Sequence, residues 1–234
     1  MEAKHTAILD STEQPKLKDN SERAKWAIIV FWCICGINLL AIMSGYMELA
    51  LLERMQAGET IPQQRANFND IRQGMIGIIQ TLFYLASIIL FLLWFRRAYG
   101  NLHKIGLDYL SHSDSMAVWS FFIPFINLVR PYNIAKEIAE ETKGTLQKVA
   151  PDTKSSINVF IVPIWWILFL VTNVIGQFAT RSTFGNNTVS ELITSTRIYL
   201  VADFLDIIAA ILTLVMIKQI SKDEKVLFKS YTTD

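Results

Sequence analysis

The sequence predicts an all-α integral membrane protein: a bundle of four transmembrane helices, a Pro-broken re-entrant or interfacial segment, and a cytoplasmic amphipathic helix. Three observations predict it. Hydrophobic residues make up 52% of 234 residues, and mean hydropathy is +0.32, high for a soluble chain. Four apolar runs are long enough to cross about 30 Å of hydrocarbon, which takes roughly 20 helical residues. The Lys and Arg residues, finally, concentrate in segments that a four-span chain places on one side of the bilayer. The length suits one domain, and a net charge of +1 gives no field for nucleic acid.

Residues 1–25 form a polar tail of mixed charge, expected to be disordered at least to Leu17. A polar stretch of that length ahead of the first apolar run does not fit a secretory signal. The membrane domain, residues 26–217, opens with a span over 27–52, interrupted by Asn38, Ser44 and Glu48. As a helix it is about 39 Å long, so it must tilt or project. Cys33 and Cys35, two apart on this helix, point in different directions and cannot form a useful disulfide. A polar loop is expected over 53–73. The second span, 75–95, carries Gln80 and closes on Trp94, Phe95, Arg96 and Arg97, an interfacial anchor.

The stretch from Trp94 to Thr142 organises the chain. Its apolar run, Met116 to Val129, has 14 residues, about 21 Å as a helix and too short to cross. Pro124 and Pro131 lack N–H groups, which frees carbonyls that hydrocarbon cannot satisfy. The segment should therefore pack against protein, with Ser120, Asn127 or water as partners, and should turn at Ile123 and Arg130, the residues before each proline. Over 132–150, Ile134, Ile138 and Ala139 share one helical face, followed by Leu146 and Val149. Lys136, Glu137, Glu140, Glu141 and Lys143 lie elsewhere. Such a helix lies on the membrane surface or across the bundle's cytoplasmic end. Further spans are expected over 157–180, with Pro163 near its start, and 198–217. A charged tail, 218–234, follows.

Orientation follows from charge. With four spans and both termini in the cytoplasm, 17 of the 22 Lys and Arg residues lie inside; were Met116–Val129 a fifth span, only 10 would. The positive-inside rule selects four spans.

Trp94, Arg97, Ala98, Asn101 and Gly106, followed by Trp119, Pro124, Asn127, Pro131 and Tyr132, form a W-x-x-R-A-x-x-N block ahead of a Pro-x-x-Asn-x-x-x-Pro-Tyr block. With the pair Trp165–Trp166, these residues resemble the domain-of-unknown-function 4328 family over residues 75 to 217. The resemblance implies a multi-pass protein of a bacterial inner membrane and implies no activity.

Among candidate sites, Asp203 and Asp206 are the most informative. Spaced i, i+3, they share a face of the last span, about 8 and 12 Å in from its outer end. Carboxylates at such depth are expensive and point to function by default. Asn173 and Gln177, spaced i, i+4, reach a similar depth, so a polar cluster of these four residues is expected to hold a cation, relay a proton, or simply join helices. His103, Asp108, His112 and Asp114 offer metal-ligand types at no compact spacing and are read as solvated loop, so no metal and no cofactor are expected. Arg96, Arg97, Arg130 and Lys136 could bind anionic head groups. Asn186, Asn187 and Thr188 match a glycosylation pattern without meaning in a bacterium. No catalytic motif is present: no Gly-rich phosphate loop, no Ser–His–Asp set, no His–Glu-x-x-His helix. The expectation is a non-enzymatic scaffold or regulator binding a protein or lipid partner, or a second copy, at its cytoplasmic face. A small cation or proton transporter using Asp203 and Asp206 is the alternative.

Overall fold

The computed structural model describes residues 17–183 and 188–232. Most of the expected polar tail and most of the glycosylation pattern lie outside the described residues. Within them the chain is all α. The helices are α1 (Ser21–Gln56), α2 (Gln63–Lys104), α3 (Met116–Trp119), α4 (Arg130–Val149), α5 (Ile161–Thr183) and α6 (Val189–Ser230). α1, α2, α5 and α6 are long and apolar enough to cross a membrane. They are apolar nearly all round, and their outward residues, Trp32, Leu40, Ile78, Leu82 and Ile167 among them, are largely exposed. Such a surface is stable in lipid and not in water. The protein is a multi-pass membrane protein.

The helices extend further than the apolar runs except at the start of α5, which begins at Ile161 where a span from 157 is expected. α2 begins at Gln63, so the polar loop expected over 53–73 shrinks to the turn around Gly58. α6 starts at Val189 behind a capping box, Thr188 with Glu191, and continues to Ser230 through most of the charged tail. Charged residues continue a helix as readily as apolar ones do, so hydropathy marks the buried depth of a helix and not its ends.

Lateral order follows side-chain size. α1 packs between α2 and α6, and α6 between α1 and α5. Ala24, Ala27, Ala41, Ser44 and Gly45 bury the face of α1, and small faces of this kind let helices approach without a hydrophobic driving force. At Gly45 the approach is tightest: a Cβ there would stand 2.8 Å from Leu200 Cδ2. α2 and α5, by contrast, make no extensive contact and approach through Phe91 and Trp165, whose ring centroids are 5.9 Å apart.

Those rings belong to an aromatic core at the end of the bundle that holds both chain ends. Phe91, Trp94, Phe95, Phe121, Trp165, Trp166 and Phe169 are linked by stacked and edge contacts. α4 lies over this core. Ile134, Ala135, Ile138, Ala139 and Leu146 are buried, while Val149 is exposed, so its apolar face is used inside the molecule.

The segment Met116–Val129 does not cross. It makes the single turn of α3, bends at Pro124 and Phe125, makes one 3₁₀ turn over Ile126–Leu128, and enters α4 with Pro131 in its first turn. The chain bends at Ile123 as expected and again at Phe125, whereas the second break falls at Val129 and Arg130 is already helical. Phe125 sits at φ +64°, a left-handed conformation strained for a bulky residue. The expected partners also differ. Trp166 Nε1 donates to the Leu128 carbonyl at 3.1 Å, whereas the buried Ser120 hydroxyl has no partner among the described residues. Trp119, Phe122, Phe125 and Val129 remain exposed, Phe125 by 86%.

Candidate functional site

Three polar networks join the helices, and the one at mid-membrane is built on Asn38. This side chain is fully buried on α1. Its Oδ1 accepts from Gln80 Nε2 at 2.8 Å, and its Nδ2 donates to the Tyr84 hydroxyl at 3.0 Å. Gln80 also donates to Asp203 Oδ1 at 3.0 Å, and the Tyr84 hydroxyl donates to Asp206 Oδ2 at 2.8 Å. Gln80 and Tyr84 stand one turn apart on α2, as Asp203 and Asp206 do on α6, so the α2 pair bonds the hub on α1 and hands it on to the two aspartates. The partners expected from the sequence are not the ones found. Asn173 donates back to the Phe169 carbonyl of its own helix at 2.7 Å, and Asp203 bonds to α2 instead of α5. The depth changes as well: α6 begins nine residues before the apolar run, which puts Asp203 14 residues, about 21 Å of helix, from its start.

Asp206, Asn173 and Gln177 are brought together in another way. They line one cavity of about 720 Å³ between α2 and α5, with Phe91, Phe121 and Trp165 toward the end that holds the chain termini and Arg181 at the other. Asp203 is not part of its wall. A carboxylate held by a tyrosine hydroxyl, with amides across a gap, can take a cation or hold a proton; it can equally serve as the bond between helices that the geometry already displays.

The second network joins the chain ends. Trp94, Arg97 and Asn101 share a face of α2 at i, i+3, i+7. Trp94 is fully buried, donates Nε1–H to Ser221 Oγ at 2.9 Å, and accepts at its carbonyl from Asn20 Nδ2. Arg97 donates to the Asp19 carbonyl at 3.3 Å. The Asn101 amide accepts from the Lys18 N–H at 3.0 Å and donates to the Lys18 carbonyl at 2.9 Å, as a neighbouring strand would. Asn20 Nδ2 closes the clasp on the buried Glu224 carboxylate at 3.0 Å. Ser21 holds the Asp19 carboxyl below its ordinary range by hydrogen bonds from its side chain and its N–H. Alongside, Tyr99 donates to Glu137 Oε2 at 2.6 Å, and Asp223 receives the Ser155 hydroxyl and the Ser156 N–H. Tyr109 donates to Glu141, and that hydrogen bond raises its phenol above the usual range.

The third network was not legible because it falls where a loop is expected. Arg72 donates to Ser44 Oγ and Asn69 Oδ1, and Gln73 donates to Glu48 Oε2 at 2.6 Å. The spacing of Asn69, Arg72 and Gln73 at i, i+3, i+4, facing Ser44 and Glu48 at i, i+4, is the signal that a helical reading would have used.

The remaining candidates separate. Arg96 pairs with Asp114 at 3.6 Å and Lys136 with Glu140 at 3.8 Å, both at half-exposed positions where such pairs contribute little. Tyr132 packs against the aromatic core. Asn127 is half-buried and its N–H bonds the Ile123 carbonyl. His103 stacks edge-on against Tyr99 and His112 donates its N–H to the Tyr99 hydroxyl. Among the described residues no three His, Cys, Asp or Glu side chains converge on a metal position.

A family model described as Domain of unknown function (DUF4328) matches residues 57–222. Comparison with curated proteins and with solved structures finds no match.

Proposed function

The chain belongs to the DUF4328 family, and from that premise we propose that it is a non-enzymatic membrane protein that binds a partner, protein or lipid, through residues 97 to 150 at its cytoplasmic end. The observation that carries the reading is the cap. α4 spends its apolar face on the bundle and leaves Lys136, Glu140 and Lys143 outward, while Trp119, Phe122 and Phe125 beside it stay exposed. That surface beds an aromatic edge in the inner leaflet and presents mixed charge to the cytoplasm. Sidedness rests on the same 17 of 22 basic residues, and a bacterial inner membrane on the family resemblance. Photocrosslinkers at Glu140 and Lys143 in intact cells test it. One reproducible adduct, to another protein or to a second copy, is expected; bare monomer at both positions counts against it.

Cation or proton transport is the second reading, favoured by the place of Asp206 in the cavity wall. Flux through proteoliposomes that is unchanged in the double variant Asp203→Asn, Asp206→Asn, with normal insertion, removes it.

A further inference from the structure

We infer that the groove between α2 and α5 seats one anionic phospholipid from the leaflet opposite the chain ends, with its phosphate on Arg181 and one acyl chain among the aromatic rings. This goes beyond the cytoplasmic reading and stands or falls without it.

The cavity has the size of a small-molecule site, about 720 Å³. It opens sideways, because α2 and α5 do not pack together along their length. One wall is a polar face of α5: Thr172, Asn173, Gly176, Gln177, Thr180 and Arg181 all line it. These residues recur at i, i+4 and i+8 in two adjacent rows, so a continuous polar stripe faces a gap where a helix would otherwise lie. The two threonine hydroxyls and the Asn173 amide bond only backwards to their own helix. Among the described residues, Gln177 makes no hydrogen bond and Arg181 no hydrogen bond or ion pair. Both side chains are exposed and line the groove, an amide and a guanidinium that offer donors with no protein acceptor opposite them. The site therefore calls for an occupant that brings acceptors.

Spacing selects which acceptors. Arg181 stands two residues from the end of α5, at the level of the interface. A guanidinium there suits phosphate, which it can grip through two parallel N–H bonds. Gln177 lies one turn deeper, about 6 Å. Each interfacial layer of a bilayer is about 5–7 Å thick, so the Gln177 amide meets the ester carbonyls of a lipid whose phosphate is on Arg181.

Below that level the walls become Phe31, Phe91, Phe121, Trp165 and Phe169, a lining for a hydrocarbon chain and not for a water-soluble ligand. Asp206 is the single acidic residue among the lining side chains. The bonds Trp165–Thr213 and Ser182–Ser195 set the register of α5 on α6 and bring Asp206 level with Thr172. It is thus about 14 Å of helix from Arg181, turned to Tyr84, and does not cancel the charge at the mouth.

The test uses the full chain in nanodiscs with phosphatidylglycerol or phosphatidylcholine carrying a diazirine at the end of one acyl chain. Expected labelling falls on Phe91, Phe121 and Phe169, above that of the lipid-facing Leu82 and Ile167. Phosphatidylglycerol should label about fivefold more than phosphatidylcholine, the effect of one basic residue near a lipid surface. Arg181→Gln should bring the two lipids level. Gly176→Leu should abolish lining labels with either lipid, and it keeps the test open if the Arg181 variant fails to insert, because a Cβ at Gly176 meets nothing within 4 Å. The inference is overturned if lining residues label no more than Leu82 and Ile167, or if Arg181→Gln changes nothing. It also fails if Ala209→Cys reacts freely with a water-soluble maleimide, or if copies of the chain crosslink through the groove.

Discussion

The two sides of the bundle solve the same problem differently. Where α1 meets α6 and α2, small residues bring the backbones close, and the central polar side chains find partners on another helix: Asn38 with Gln80 and Tyr84, and through them Asp203 and Asp206. Where α5 faces α2, no helix fills the gap, and Asn173, Thr172 and Thr180 bond only to their own backbone. Polar residues of the same type are therefore structural on one side and available on the other. Sequence spacing alone does not tell the two apart; the presence or absence of a facing helix does.

Substitutions on opposite sides sharpen the contrast. Gly45→Leu should separate α1 from α6, because even a Cβ meets Leu200 at 2.8 Å. Overpacking of this kind costs about 3 kcal/mol or more, a fall of roughly 10 °C in midpoint for a chain of this size. Gly176→Leu, into open space, should move the midpoint by less than about 1 °C, and an equal loss at both glycines would erase the distinction. Next in size is Asn38→Leu, which takes one partner each from Gln80 and Tyr84 and should cost about 1–3 kcal/mol. Asn173→Leu should be close to neutral, read by the same thermal unfolding in detergent. Smallest is Tyr84→Phe, which removes one interhelical donor to Asp206 and should cost about 0.6 kcal/mol, the average for such bonds in membranes. A Tyr84→Phe effect as large as that of Asn38→Leu would move the hub from α1 to α2.

Much of this was legible in the chain. Four spans, the Pro-broken segment that turns back, and the buried face of the 132–150 helix follow from apolar length and periodicity, which report burial directly. Trp165 and Trp166 obey the same rule, since an indole at that depth needs a partner and both N–H groups have one. Lateral neighbours were not. Asp203 and Asp206 were matched to Asn173 and Gln177 by depth, yet depth leaves open which helix stands beside which, and α1 supplies the hub. The ends of α2 and α6 escaped for a different reason: hydropathy stops at the interface, while backbone hydrogen bonds continue through Gln63–Gln73 and Lys218–Ser230.

The bond from Asn20 to Glu224 joins residues 204 positions apart. The start of α1 is therefore synthesised long before the carboxylate that fastens it, and Asn20 can bond only the Trp94 carbonyl until the last turns of α6 emerge. Losing the Glu224 carboxylate would leave the four apolar spans intact and the start of α1 unfastened from α6, so this one bond reports whether those two helices have met.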